Sequence, residues 1–192
     1  GSARYRQFLQ CDVDVVGSAS TATDAELIAL VYSAFSKLNL EVVVKFNNRK
    51  LLNDVLDYYG IEKNRQENVI LSIDKLEKFG FDVVKNELKQ QKIDDKKINT
   101  ILDILNIKGT NQQKINQLKN ILKNSEGLNE IEQLLECLKN LDFEAEFDVS
   151  LARGLAYYTG AVIEAFLKSS NVKSSVCAGG RYDNMIGAFL GK

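Results

Sequence analysis

The stretch Phe143-Glu144-Ala145-Glu146-Phe147-Asp148-Val149-Ser150 decides the fold. Phe143, Ala145, Phe147 and Val149 alternate strictly with Glu144, Glu146, Asp148 and Ser150. A period of two puts these sets on opposite faces of a strand. The preceding residues make this reading decisive. Across 49–140 no strand pattern appears, and apolar residues recur at helical spacing around 50–59, 66–79, 81–90, 94–107, 111–124 and 128–140. Ile98, Ile101, Leu102 and Leu105 form one stripe, and Ile131, Leu134, Leu135 and Leu138 another. Such stripes are the inward faces of packed helices. Gly60, Gly80, Gly109 and Gly127 follow four of these patterns and suit helix C-termini.

Further upstream, Glu41 to Phe46 is a valine-rich run that predicts a buried strand. Before it, Thr23 and Glu26 stand at capping-box spacing. They open a helix carrying Leu27, Ile28, Val31, Ala34, Phe35 and Leu38 and ending near Asn39. Residues 4–16 alternate again. Tyr5, Leu9, Cys11, Val13 and Val15 fall on one face, and Arg4, Arg6, Phe8, Gln10, Asp12 and Asp14 on the other. This pattern predicts a half-buried strand whose polar face is either solvated or a ligand platform. Downstream, Tyr157 to Leu167 and Val172 to Ala178 are further strand candidates. The expected class is α+β, a sheet interrupted by an all-helical insertion. The boundaries fall at 1–46, 47–141 and 142–192.

Composition narrows the chemistry. The 192 residues are 45% hydrophobic, enough for a sizeable core. No apolar run approaches the roughly 20 residues that span a bilayer, so no membrane role is expected. The absence of histidine excludes a Ser-His-Asp or Cys-His mechanism and any imidazole-bound metal from this chain. Cys11, Cys137 and Cys177 are odd in number and widely spaced, so no metal site is expected and a reducing, cytoplasmic setting fits. The net charge of -1 means that any nucleic-acid surface must be local. One candidate is Lys85 to Lys123, with nine lysines against Glu87, Asp94, Asp95 and Asp103. Such a run meets phosphate or simply forms a soluble face. The opening Gly1-Ser2 reads as a cleavage scar, and the chain as a fragment of a longer protein.

Three clusters could carry chemistry. They are the polar face of 4–16, the run Leu151-Ala152-Arg153-Gly154-Leu155-Ala156-Tyr157-Tyr158-Thr159-Gly160, and the run Cys177-Ala178-Gly179-Gly180-Arg181-Tyr182-Asp183. A guanidinium fork at Arg153 suits phosphate or carboxylate. Gly154 and Gly179-Gly180 permit close backbone approach, and paired tyrosines offer hydroxyls and flat walls. Individually each is also explained by turn geometry.

Taken in order, these stretches resemble the catalytic region of histidyl-tRNA synthetases, class II aminoacyl-tRNA synthetases. Arg4 to Asp14 looks like the end of class II motif 2, and Asp24-Ala25-Glu26-Leu27 like the helix that follows it. Leu151 to Gly160 resembles the family's first histidine-specific motif and Ala178 to Asp183 its second. The resemblance implies part of the class II antiparallel sheet, with the helical run at the family's insertion domain. It implies activation of L-histidine by ATP with Mg2+, then transfer to tRNA(His), in a cytoplasmic homodimer. By position, Phe8 would stack on adenine and Arg4 would contact ATP phosphate. Gln10 and Asp14 would bind the α-amino group, Arg153 would stabilise the α-phosphate, and Tyr157, Tyr158 and Tyr182 would surround the histidine side chain. The lysine run would face the tRNA acceptor arm.

The departures have consequences. The family motif usually reads Arg-Gly-Leu-Asp-Tyr-Tyr, and Ala156 replaces the aspartate. Motif 1, the upstream half of motif 2, motif 3 and the anticodon-binding domain are not among the matched stretches. The chain alone is therefore expected not to catalyse adenylation. The alternative is a synthetase-like paralogue that senses histidine or tRNA without aminoacylation, which Ala156 favours and the retained Gln10, Asp14 and Arg153 disfavour. A bare helical interaction module would leave both tyrosine-and-glycine motifs unexplained.

Overall fold

The structure is a computed structural model that describes residues 6–143, 145–169, 171–172 and 174–191. Its elements are α1 (Thr21–Lys37), β1 (Val42–Asn48), α2 (Arg49–Tyr58), α3 (Lys63–Ile73), α4 (Leu76–Phe79), α5 (Phe81–Gln90), α6 (Asp95–Leu105), α7 (Asn111–Ile121), α8 (Glu126–Leu138), β2 (Ala145–Phe147), β3 (Ala161–Leu167), β4 (Cys177–Gly180) and α9 (Met185–Phe189). Helix and sheet segregate along the chain as an α+β reading requires. Among the described residues of 49–138, regular structure is helical throughout.

The strands form one sheet in the order β2-β1-β3-β4. β1 pairs antiparallel with β3, from Val42 opposite Leu167 to Asn48 opposite Ala161, and β3 pairs antiparallel with β4. β2 departs from the expected antiparallel pattern and runs parallel to β1, Val44 lying opposite Ala145. A parallel neighbour needs a long crossover, and the whole helical segment supplies it. β2 is also shorter than the alternation suggested. The Asp148 carboxylate accepts the Ser150 N–H (3.0 Å) and the Ser150 hydroxyl (2.6 Å), a turn that ends the strand.

One apolar cluster joins Ile28 of α1, Val44 and Phe46 of β1, Leu51 of α2, Ile101 of α6, Ile131 of α8 and Phe147 of β2. α8 packs on both α1 and α2. Gly127 makes this possible: a Cβ there would lie 2.1 Å from the Leu51 backbone nitrogen. It is therefore a close-approach residue inside α8, and not the helix terminus its spacing suggested. Gly60, Gly80 and Gly109 do adopt positive φ, of 66°, 80° and 126°.

Two other expectations are corrected. α1 is capped by Ser20, whose hydroxyl accepts the Ala22 N–H, while the Thr23 hydroxyl donates to Ser18 Oγ (2.8 Å). Residues 6–16 form no strand and are exposed throughout. A strand exists only where a second backbone takes up its ladder, and no described strand pairs with this segment. The two downstream candidates shift: residues 157–160 turn before β3, and β4 begins at Cys177. Among the described residues no helix is long and apolar enough to cross a membrane.

Candidate functional site

The site is assembled from both ends of the chain. An open cavity of about 830 Å³ lies between residues 12–19, α1, the β3–β4 edge and the turn into α9. Asp14, Tyr157, Tyr158 and Tyr182 all line it, with Gly179 and Gly180 beneath. Its size is within the range of small-molecule sites. Tyr157 and Tyr158 meet edge to face, 4.8 Å between centroids. Tyr158 lies over Gly180, where a Cβ would come 2.9 Å from its Cδ1 and 3.0 Å from the Ala161 carbonyl oxygen. Glycine at 180 is thus a steric requirement of the tyrosine wall.

The Tyr182 hydroxyl donates to Asp14 Oδ1, and this hydrogen bond raises the phenol above its ordinary value. Burial, then the neighbouring Tyr157, raises the Tyr158 phenol against the pull of Arg153. Both phenols therefore remain neutral donors near pH 7.

Arg181 holds the cavity together, although sequence reading gave it no role. Its Nη2 donates to Asp24 Oδ2 and to the Ser20 carbonyl, both at 2.8 Å, and its Nη1 to the Ser18 carbonyl at 3.3 Å. One side chain at the end of β4 thereby pins the loop that carries Asp14 to the start of α1. Burial disfavours its charge, but Asp24 and Asp183 more than restore it, so the guanidinium titrates above its ordinary value.

Arg153 lies one layer behind the cavity, outside its lining. Its Nη1 donates to Glu164, which projects from β3, and its Nε is buried without a partner among the described residues. Burial disfavours its charge, but Glu164 more than offsets that, so it stays charged. The loop leading to Arg153 is anchored by Asn47, whose Nδ2 donates to the carbonyls of Val149 (3.0 Å) and Leu151 (2.8 Å). Phe8 is 67% exposed and outside the cavity lining. Gln10 is also outside it, donating to Asp12 Oδ1 at 3.4 Å. Arg4 lies outside the described residues. Ala156 is exposed on the turn before the tyrosines. The cavity can thus hold a small polar molecule between the Asp14 carboxylate and three phenols, with the Arg153 guanidinium close behind.

Comparison with known proteins identifies the family. The family described as histidyl-tRNA synthetase matches residues 1–192, the whole chain. The chain belongs to the histidyl-tRNA synthetase family. It is 43% identical over 191 residues to a histidine–tRNA ligase 1 of Bacillus cereus, covering 98% of this chain and 45% of the relative. Identity to a histidine–tRNA ligase of Bacteroides fragilis is 40% over 193 residues, covering 97% of this chain and 42% of the relative. Among solved structures, the histidyl-tRNA synthetase of Nostoc sp. PCC 7120 superposes with a TM-score of 0.83 at 32% identity, over 91% of this chain and 43% of that one. The chain therefore spans less than half the length of these family members.

Two acidic residues of this site escaped sequence reading. Glu164 sits in an otherwise apolar run, where a buried carboxylate signals a buried cation. Asp24 sits in the first turn of α1, where an acidic residue is ordinary, so it carried no signal of its pairing with Arg181.

Proposed function

We propose that the chain is part of a cytoplasmic histidine–tRNA ligase. The ligase activates L-histidine with ATP to histidyl-adenylate and passes the histidyl group to tRNA(His). Asp14, Tyr157, Tyr158 and Tyr182 converging on one cavity from opposite ends of the chain is the observation that carries this reading. A histidine substrate presents an ammonium, a carboxylate and an imidazole. The Asp14 carboxylate suits the ammonium, and Gln10 would join it as the second polar ligand. The three tyrosines supply flat walls and neutral hydroxyls for the imidazole.

The substrate carboxylate is already the nucleophile, so activation needs no protein base. It needs positioning and preorganised positive charge where the α-phosphate gains negative charge. Arg153 supplies that charge, and Glu164 restrains one edge of its fork. Phe8 would stack on adenine, and Arg4 would reach ATP phosphate. Mg2+ enters with ATP as part of the substrate. The helices of 47–141 form the insertion domain and face the tRNA acceptor arm, between catalytic parts 1–46 and 142–192. The complete enzyme is a homodimer.

The test is histidine-dependent ATP–pyrophosphate exchange by the full-length protein that contains this chain. Robust exchange is expected, together with a large but measurable drop in Arg153→Ala. Absence of exchange in a folded, histidine-binding full-length protein would instead support a paralogue that senses histidine. The isolated chain is expected to be inactive, and exchange by the pure 192-residue chain would overturn that part.

A further inference from the structure

The joint between α3 and α4 reaches from the helical segment to the loop of Arg153. There the Asp74 carboxylate lies against the Gly154 backbone and within electrostatic reach of Arg153. A Cβ on Gly154 would stand 2.9 Å from Asp74 Oδ2 and 3.3 Å from Leu71 Cδ2. Gly154 is not among the described positive-φ residues, so its own backbone does not require glycine. The requirement comes from the helical segment seated against it.

Asp74 is also badly placed for its own helix. It occupies the C-cap of α3, where the carbonyl ends repel a carboxylate. Asp74 lies exposed in the turn before α4, and across the fold its carboxylate faces the Gly154 backbone and Arg153. A second contact lies alongside. Glu77 of α4 is 3.9 Å from Lys45 of β1, and Lys45 in turn meets Asp148 at 3.0 Å. Arg153 is therefore flanked by Glu164 from the sheet and by Asp74 from the helices.

We propose that Asp74 is a positioning residue for Arg153, so that the α3–α4 joint sets the aim of the guanidinium during histidine activation. This inference rests on the ligase reading above. Glu164 restrains one end of the guanidinium, and Asp74 restrains the backbone that carries it. Losing the second restraint leaves the charge in place but lets its direction wander. A mispositioned group lowers turnover more than it lowers substrate binding.

The test uses the full-length protein, with Asp74→Asn to remove charge at constant size and Asp74→Ala to remove the carboxylate. Exchange kinetics are measured for both, for Arg153→Ala and for the double variant that combines Asp74→Asn with Arg153→Ala. Asp74→Asn is expected to lower kcat by roughly ten- to hundredfold while KM for histidine and ATP stays within about twofold. In the Arg153→Ala background the Asp74 substitution is expected to cost nothing further. Unchanged kcat in Asp74→Asn, or losses that simply multiply in the double variant, would overturn the proposal while leaving the ligase reading intact. An unsubstituted protein without exchange would overturn both. Thermal melting identifies any variant that fails to fold, and Asp74→Asn, the milder change, then decides.

Discussion

The Tyr182 hydroxyl donates to Asp14 across 168 residues of sequence. This contact joins the two ends of the chain at the cavity wall. The phenol spends its proton on the carboxylate that an amino-acid ammonium would need, so the two residues should affect ligand binding unequally. Asp14→Asn removes the charge itself and is expected to weaken L-histidine binding to the full-length protein by about tenfold or more. Tyr182→Phe removes only the neutral donor and is expected to cost about two- to tenfold. Isothermal titration of histidine measures both, and the reverse order would contradict the assignment of Asp14.

Gly127→Ala should be the most damaging methyl among the described glycines. The added carbon would arrive 2.1 Å from the Leu51 nitrogen, a backbone atom that cannot rotate away. α8 would have to lift from α2, at a cost of about 2–3 kcal/mol. For a chain of this size the melting temperature should fall by roughly 5–10 °C. Thermal unfolding followed by circular dichroism reads this directly. A shift under about a degree would show that the helices repack freely.

Asp148 makes stability depend on acid. Burial pushes its carboxyl up, but the Ser150 hydroxyl, Lys45 and the Ser150 N–H more than offset that, so it titrates below its ordinary 3.8. A depressed carboxylate contributes stability above its unfolded pKa and loses it as pH falls through the folded value. The chain should therefore lose stability below about pH 4. Asp148→Asn should be less stable near pH 7 by about 1–3 kcal/mol, and the gap should shrink in acid. Melting curves from about pH 7 to 3 for both proteins check this, and a gap independent of pH would contradict it.

The lysine run is thinner as a nucleic-acid surface than its sequence suggests. Lys114 is buried and donates to the Phe147 carbonyl (2.6 Å), and Lys97 donates to the Gly60 carbonyl (2.9 Å). Lys89 and Lys119 meet Asp95 (3.1 Å) and Glu132 (2.6 Å). Replacing Lys85, Lys89, Lys92 and Lys96 with glutamine in the full-length protein should still weaken tRNA(His) binding and flatten its dependence on salt. Filter binding between about 50 and 200 mM salt gives the slope. Unchanged affinity and slope would assign the run to solubility alone.

The helical segment was legible because each of its main helices repeats an apolar stripe, and that repeat is local. The stripes at Ile98–Leu105 and Ile131–Leu138 are buried as read, Leu135 only in part. β1 was legible for the same reason, its valines lying in a short, largely buried run. Residues 6–16 were not, because alternation records only a capacity to pair, and pairing depends on a neighbour far away in sequence. Gly127 misled because a glycine at a helix end and a glycine under a crossing helix look alike in one dimension. At the site, the three tyrosines and Asp14 were recognisable from long motifs. The carboxylates beside the arginines were not. Asp24 meets Arg181 and Asp74 meets the Arg153–Gly154 loop only through the tertiary fold.

The parallel pairing of β1 with β2 also sets a timetable for the nascent chain. Val44 and its register partner Ala145 are 101 residues apart. At about 5–20 residues per second, β1 leaves the ribosome roughly 5–20 s before β2 is made. Helices α2–α8 all emerge in that interval, long enough for them to collapse first. Throughout it, β1 has neither neighbour, since β3 follows β2. A valine-rich strand with two open edges is a hazard for sticking to other chains. Early packing of α1, which is made before β1, shields it until its partners arrive.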